Sequence, residues 1–97
     1  YLRGMGASGL GVEAAARTAA VLSTGAEGAI PLKEGYAAAM AAQNTSYACV
    51  EKNIRSMVGK LQAGACGEYQ ALMGGLPAER PSNELFLRRL ARRILEW

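Results

Sequence analysis

Cysteines, glutamates and arginines are the residues of this chain that could do chemistry, because its 97 residues include no histidine and no aspartate. Triad-type nucleophilic catalysis needs a histidine base and an orienting carboxylate, and the usual zinc sites draw on histidine or on four cysteines. The eight glutamates lie in no recognisable catalytic motif. Glu51 and Arg55, four residues apart, predict a surface ion pair instead. We therefore expect a protein that is not an enzyme, with no metal and no cofactor.

The two cysteines, Cys49 and Cys66, allow three interpretations. In one continuous helix their Cα atoms would lie roughly 25 Å apart, far beyond the reach of a disulfide. A hairpin near Gly59 or Gly64 would allow a disulfide, and a covalent cofactor attachment has no motif to support it. We favour two buried free thiols.

The glycine-rich start of the chain contains a G-x-G-x-x-G match that runs from Gly4 to Gly9. In dinucleotide-binding proteins such a loop follows a β-strand and opens a helix within a βαβ unit. Only three residues precede Gly4, and no parallel-sheet pattern follows it. Because glycine at this density opposes both helix and strand, we interpret residues 1–11 as a flexible lead-in.

Helical spacing dominates the next part of the chain. The alanine-rich segment Val12–Leu22 favours a helix that stops at residues 23–25. After Pro31, apolar positions recur in steps of four and three, which predicts one helix over Leu32–Ala63 or two helices broken at residues 44–46. The members of this seam are Tyr36, Met40, Gln43, Tyr47, Val50, Ile54, Met57 and Leu61.

The following segment predicts a short helix and a rigid connector. The helix covers Glu68–Met73, and Gly74-Gly75 would end it. Pro77 and Pro81 frame the connector. No run of β-branched residues alternates with polar ones anywhere in the chain, so we predict no strand.

The last segment, Asn83–Trp97, predicts a two-sided helix with Ser82 or Asn83 as its N-cap. Its apolar side carries the single phenylalanine and the single tryptophan, and its polar side carries two Arg-Arg pairs. Five of the eleven lysines and arginines lie from Arg80 to Arg93, four of them in this helix, which makes this part of the chain a local basic patch. We predict a partner-binding role for Phe86, Arg88, Arg89, Leu90, Arg92, Arg93, Ile94 and Trp97.

Several environments suit the four arginines of this helix. They could face an acidic protein or lipid headgroups, or the phosphates of a nucleic acid. They could also face water alone, with the apolar side on the protein's own core. No aromatic side chain is interleaved with the arginines to stack on bases, which disfavours nucleic acid.

We expect an all-α protein, either a small helical bundle or a set of extended helices. One domain over residues 1–97 would comprise the lead-in (1–11), a helical core (12–76), the proline connector (77–82) and the basic amphipathic helix (83–97). Alanine buries little area, so we expect the isolated chain to be marginally stable. The longest uncharged run has 16 residues and includes polar ones, which is too short and too polar for a membrane span. We expect a soluble or peripheral protein.

Two stretches, about a third of the chain, resemble the small four-helix lumenal accessory proteins of photosystem II. The first resembles the family's alanine-rich third helix with its Gly-x-Tyr end, and the second its proline-started basic last helix. The first half of the chain lies outside the resemblance. The residues that carry it are Met57, Leu61, Ala63, Ala65, Gly67 and Tyr69, then Pro77 or Pro81 followed by Arg89-Leu90-Ala91-Arg92-Arg93-Ile94-Leu95-Glu96.

This resemblance implies a photosynthetic complex and a plastid thylakoid location, and it implies no catalytic or metal residues. Our first hypothesis is a non-catalytic accessory or structural subunit that docks on a larger membrane-associated protein complex and stabilises it. The alternative is a nucleic-acid or anionic-membrane-surface binder that uses the basic C-terminal helix.

Overall fold

The computed structural model describes residues 9–25 and 30–95, and within these ranges the protein consists of five helices and no strand. This confirms the predicted all-α class. The division of residues 1–97 into one domain stays a prediction. The helices are α1 (Leu10–Leu22), α2 (Leu32–Gln43), α3 (Tyr47–Gly64), α4 (Gly67–Met73) and α5 (Asn83–Leu95).

The first helix begins two residues earlier than predicted. Gly9 precedes it with φ 85°, a conformation that glycine adopts without strain, and Leu10 and Gly11 are already helical. The end of the predicted lead-in is therefore part of α1. The rest of that segment, with most of the G-x-G-x-x-G match, lies outside the described residues.

The prediction of one helix over residues 32–63 is wrong, and the alternative with a break at residues 44–46 is confirmed. Asn44 ends α2 in the left-handed conformation, with φ 50°, which asparagine tolerates better than most residues. Ser46 then caps α3, because its Oγ accepts a hydrogen bond from the Cys49 N–H at 3.2 Å. These polar side chains turn the apolar seam into two helices that pack against each other.

The other predicted helix ends are close to those observed. α3 ends at Gly64, and Ala65 follows it in the left-handed conformation. α4 begins one residue earlier than predicted and ends at Met73, and Gly74, with φ of 75°, follows it as the expected glycine stop.

The core is contributed by all five helices. On α1 three alanines, Ala14, Ala15 and Ala19, are fully enclosed, and α2, α3 and α5 all contact this helix. Larger side chains fill the space beyond it, and the rings of Tyr69 and Phe86 stack at 6.4 Å between centroids. The buried residues of α3 are Val50, Ile54, Met57, Val58 and Leu61.

Two glycines permit the close approach of α1 to its neighbours. A Cβ at Gly11 would lie 2.6 Å from the Asn53 carbonyl oxygen of α3. A Cβ at Gly35 of α2 would lie 2.6 Å from Thr18 Cγ2, and the buried Thr18 hydroxyl donates to the Gly35 carbonyl at 3.4 Å. Both crossings depend on the missing side chain.

A chain of polar contacts joins α3 and α4 to the connector before α5. The Tyr69 hydroxyl donates to Gln62 Oε1 at 2.7 Å, and Gln62 Nε2 donates to the Pro77 carbonyl at 2.6 Å. These bonds fix the start of the connector against α3, and they help to determine where α5 begins.

Gly11→Ala should lower the free energy of unfolding by about 1–3 kcal/mol, because the new methyl group overlaps a backbone carbonyl of α3 that cannot move alone. In a domain of this size the loss lowers Tm by at least ~4 °C. Gly64→Ala is the matched control, since a Cβ there meets nothing within 4 Å. Thermal melts followed by circular dichroism that give equal Tm values for the two variants would refute the close α1–α3 crossing.

Candidate binding surface on helix α5

The connector and a serine cap determine where α5 starts. Ser82 Oγ accepts a hydrogen bond from the Leu85 N–H at 3.1 Å, so Ser82, rather than Asn83, supplies the cap. Pro81 is buried beside it, and Glu84 lies in the first turn, where a negative charge is favoured.

The central part of the apolar side of α5 is enclosed by the protein's own helices. Phe86 and Leu87 are fully buried and Leu90 is 4% exposed, while α1, α3 and α4 all contact this helix. Of the predicted partner-binding residues, Phe86 and Leu90 therefore lie in the core. Ile94 is 39% exposed. Trp97 lies outside the described residues.

Arg88 is separated from the other arginines of α5 by its contacts. Its Nη1 donates to the Ile30 carbonyl at 2.8 Å, and its Nη2 donates to Glu84 Oε2 at 3.3 Å. The side chain is only 22% exposed. Arg88 thus holds α5 against the segment that leads into α2. No sequence pattern indicates this contact, because its two residues are 58 positions apart.

The other three arginines lie together. Arg89, Arg92 and Arg93 line a surface depression of about 200 Å³ with Ala71 and Leu72 of α4, and we call this group the arginine surface. Arg92 is exposed, whereas Arg89 and Arg93 are half-buried. The structure therefore brings together three of the eight predicted partner-binding residues.

Guanidinium groups determine what the arginine surface can do. Each is planar and presents five N–H donors in a fork that matches the two oxygens of a carboxylate or phosphate. Arginine stays protonated at every ordinary pH, so these residues supply neither a base nor a nucleophile. The arrangement is suited to binding an anion.

The remaining reactive residues are dispersed. Cys49 and Cys66 form no disulfide, as predicted, but they are half-buried rather than buried, and Asn53 Nδ2 donates to Cys49 Sγ at 3.6 Å. The predicted ion pair between Glu51 and Arg55 is present. Within residues 9–25 and 30–95, no group of three histidine, cysteine or acidic side chains could hold a metal ion. No helix in those ranges combines the length and apolar character that a membrane crossing needs.

In comparisons with known proteins, no family model, no curated protein and no solved structure matches this chain. The structure defines a small all-α protein in which three arginines of α5 line one surface depression, while Phe86, Leu87 and Leu90 of the same helix are buried.

Arg88→Gln should lower the free energy of unfolding by about 1–3 kcal/mol, because it leaves a carbonyl and a carboxylate without their charged donor. Arg92→Gln, the control on the same helix, should change it by no more than about 0.5 kcal/mol, since Arg92 is exposed. Urea unfolding of both variants measures the difference. Equal stabilities would show that Arg88 does not anchor α5.

Proposed function

We propose that this protein is a non-catalytic accessory or structural subunit that docks on a larger, membrane-associated protein complex through its arginine surface. The observation that carries the proposal is the division of α5 into two faces. Phe86 and Leu90 are buried in the core, whereas Arg89, Arg92 and Arg93 gather around one depression on the surface. Charge rather than apolar area would then select the partner.

An acidic protein face suits this geometry better than a lipid bilayer. A helix that binds at a membrane surface inserts its apolar side among the acyl chains. In α5, Phe86, Leu87 and Leu90 of that side are buried where α1, α3 and α4 contact the helix, so these side chains are not available unless the protein opens. Carboxylates of a protein partner can pair with the guanidinium groups without any change in the fold.

Nucleic acid is disfavoured for a related reason. Single strands bind to basic grooves whose aromatic rings stack on the bases. Tyr69 of α4 and Phe86 of α5 are both fully buried. Within residues 30–95, the arginine surface therefore offers phosphate contacts without an exposed aromatic ring on either helix to stack on bases.

The resemblance to the lumenal accessory proteins of photosystem II makes a photosynthetic complex the first candidate partner, with the plastid thylakoid as the location. It rests on the sequences of α3, α4 and α5. Arg89, Arg92 and Arg93, which form the arginine surface, all belong to the stretch that carries the resemblance.

The isolated chain should unfold cooperatively with Tm no higher than about 65 °C, the upper end for ordinary mesophile domains. Its core includes five alanines, and each removes little apolar area from water; they are Ala14, Ala15, Ala19, Ala39 and Ala91. A melt followed by circular dichroism without any partner measures this. A Tm well above that limit would show that the chain does not depend on a partner for its stability.

Replacing Arg89, Arg92 and Arg93 with glutamine should abolish docking, because it removes the three charges that would bind the partner's carboxylates. The measurement is affinity capture from mildly solubilised membranes of the source cells, at low and high salt, read by quantitative mass spectrometry. The wild-type protein should recover one defined set of subunits, and the triple variant should lose it.

A matched control replaces three exposed lysines, Lys33, Lys52 and Lys60, with glutamine. Both triple variants have a formal net charge of +3 − 3 = 0, so they differ only in where charge is removed. Equal losses in the two variants would refute the arginine surface as the docking site. Recovery of nucleic acid or anionic lipid in place of defined subunits, lost at high salt, would favour a charge-driven binder instead.

A further inference from the structure

A second depression lies where α2, α3 and the start of α5 meet, apart from the arginine surface. It has a volume of about 280 Å³, and we call it the tyrosine pocket. Its walls include Tyr36 and Tyr47, whose rings meet edge to face at 5.1 Å between centroids. The polar side chains around it are Arg55, Arg80 and Ser82, together with Glu51 and Asn83.

The hydrogen bonds of Asn83 determine where the hydroxyl hydrogen of the buried Tyr36 points. Asn83 Nδ2 donates to the Glu51 carbonyl at 3.0 Å and to the Tyr36 hydroxyl at 3.2 Å. Because the Glu51 carbonyl can only accept, the group of Asn83 that faces it must be the side-chain NH₂. The same NH₂ faces Tyr36, so the Tyr36 oxygen accepts a hydrogen bond from Asn83 as well. The hydroxyl proton then points away from Asn83, and among the described residues no side chain or carbonyl accepts it.

Tyr36 is therefore a buried donor without an acceptor from the protein. Its side chain is only 1% exposed, and a buried O–H that donates to nothing is costly. Burial raises the pKa of Tyr36 above the ordinary value of 10.0, so the hydroxyl keeps its proton at neutral pH. An acceptor bound in the pocket would satisfy it.

Two further side chains of the pocket, Ser82 and Arg80, have hydrogen-bond donors that no described group of the protein accepts. Ser82 Oγ accepts the capping bond from Leu85, which leaves the hydroxyl hydrogen available to the pocket. Arg80 has no ion pair within the described part of the chain, and its aliphatic stem lies against α3, where a Cβ at Gly59 would be 3.7 Å from Arg80 Cδ. These donors surround the same space as Tyr36.

The charges favour an anion of single charge. Arg55 and Arg80 contribute two positive charges and Glu51, which pairs with Arg55, contributes one negative charge, so the pocket carries +1. The volume is slightly below the range of typical ligand pockets, which limits the ligand to a small molecule or to one terminal residue. Leu32, Pro81 and the ring of Tyr47 provide apolar walls.

We propose that the tyrosine pocket binds a carboxylate that carries a small apolar group, with Tyr36, Ser82 and Arg80 donating to its oxygens. The carboxylate would belong to a free organic acid or to the C-terminus of a peptide, and both present the same group. This site does not depend on docking through the arginine surface.

The test is a titration of the ¹⁵N-labelled protein with sodium benzoate at constant ionic strength, followed by amide chemical shifts. Benzamide, which has the same shape without the charge, is the matched ligand control. Benzoate should produce saturable shifts at Tyr36, Tyr47 and Asn83, and benzamide should not. Equal shifts from both ligands, or benzoate shifts that rise linearly without saturation, would overturn the proposal.

Variants identify the groups that bind. Tyr36→Phe removes one hydroxyl and Arg80→Gln removes one exposed charge, and each should weaken benzoate binding about tenfold or more, as expected for a lost charge-assisted hydrogen bond. Arg17→Gln removes an exposed arginine of α1 that does not line the pocket, and it should bind benzoate as the wild type does. Unchanged affinity in Arg80→Gln would refute the proposal even if Tyr36→Phe failed to fold.

A pair of short peptides with an apolar last residue separates the two sources of the carboxylate. One peptide ends in a free carboxylate and the other in an amide. Saturable binding of the acid form alone would support a peptide terminus as the ligand. Binding of benzoate without binding of either peptide would support a free organic acid.

Discussion

The burial of the apolar side of α5 is the constraint on which the rest of the structure depends. Phe86, Leu87 and Leu90 are buried where α5 contacts α1, α3 and α4, and they add large apolar side chains to a core that is rich in alanine on α1. Burying three such side chains contributes roughly 5–9 kcal/mol before entropy is counted, which is comparable to the whole stability of a small domain. Helix α5 is therefore a structural element of the core, whatever interface it also forms.

This constraint also determines which surfaces remain for binding. Once the apolar side is buried, the register of α5 directs Arg89, Arg92 and Arg93 to the side of α4. The same placement brings Asn83, at the first residue of α5, against Tyr36 and the Glu51 carbonyl. The two anion-binding candidates thus lie at different positions along one helix, and both follow from how that helix is seated.

The sequence predicts the helices well because their signals are local. The serine cap before α5, the glycine stop after α4 and the polar break at residues 44–46 are each readable from a few neighbouring residues. The apolar seam alone does not distinguish one helix from two over residues 32–63, since a heptad pattern continues across a tight turn as easily as through a helix. The structure has two helices because Asn44 takes the left-handed conformation and ends α2.

The sites were less predictable because they depend on residues that are distant in sequence. Arg88 and Arg89 are adjacent and chemically identical, yet one bonds to the Ile30 carbonyl and the other lines the arginine surface. The tyrosine pocket joins Tyr36 to Asn83, 47 positions away. Sequence periodicity does not predict contacts such as Arg88 with Ile30 or Tyr36 with Asn83, and they form only when α5 packs on the other helices.

Amide hydrogen exchange on the isolated protein tests the seating of α5 most directly. If its apolar side belongs to the core, the amides from Phe86 to Ala91 exchange only through global unfolding, with the same protection as those of Val50 to Val58 in α3. Rapid exchange in α5 beside a protected α3 would contradict this structure. The apolar side would then be free for a partner or a membrane, and the arginine surface would no longer be the face that docks.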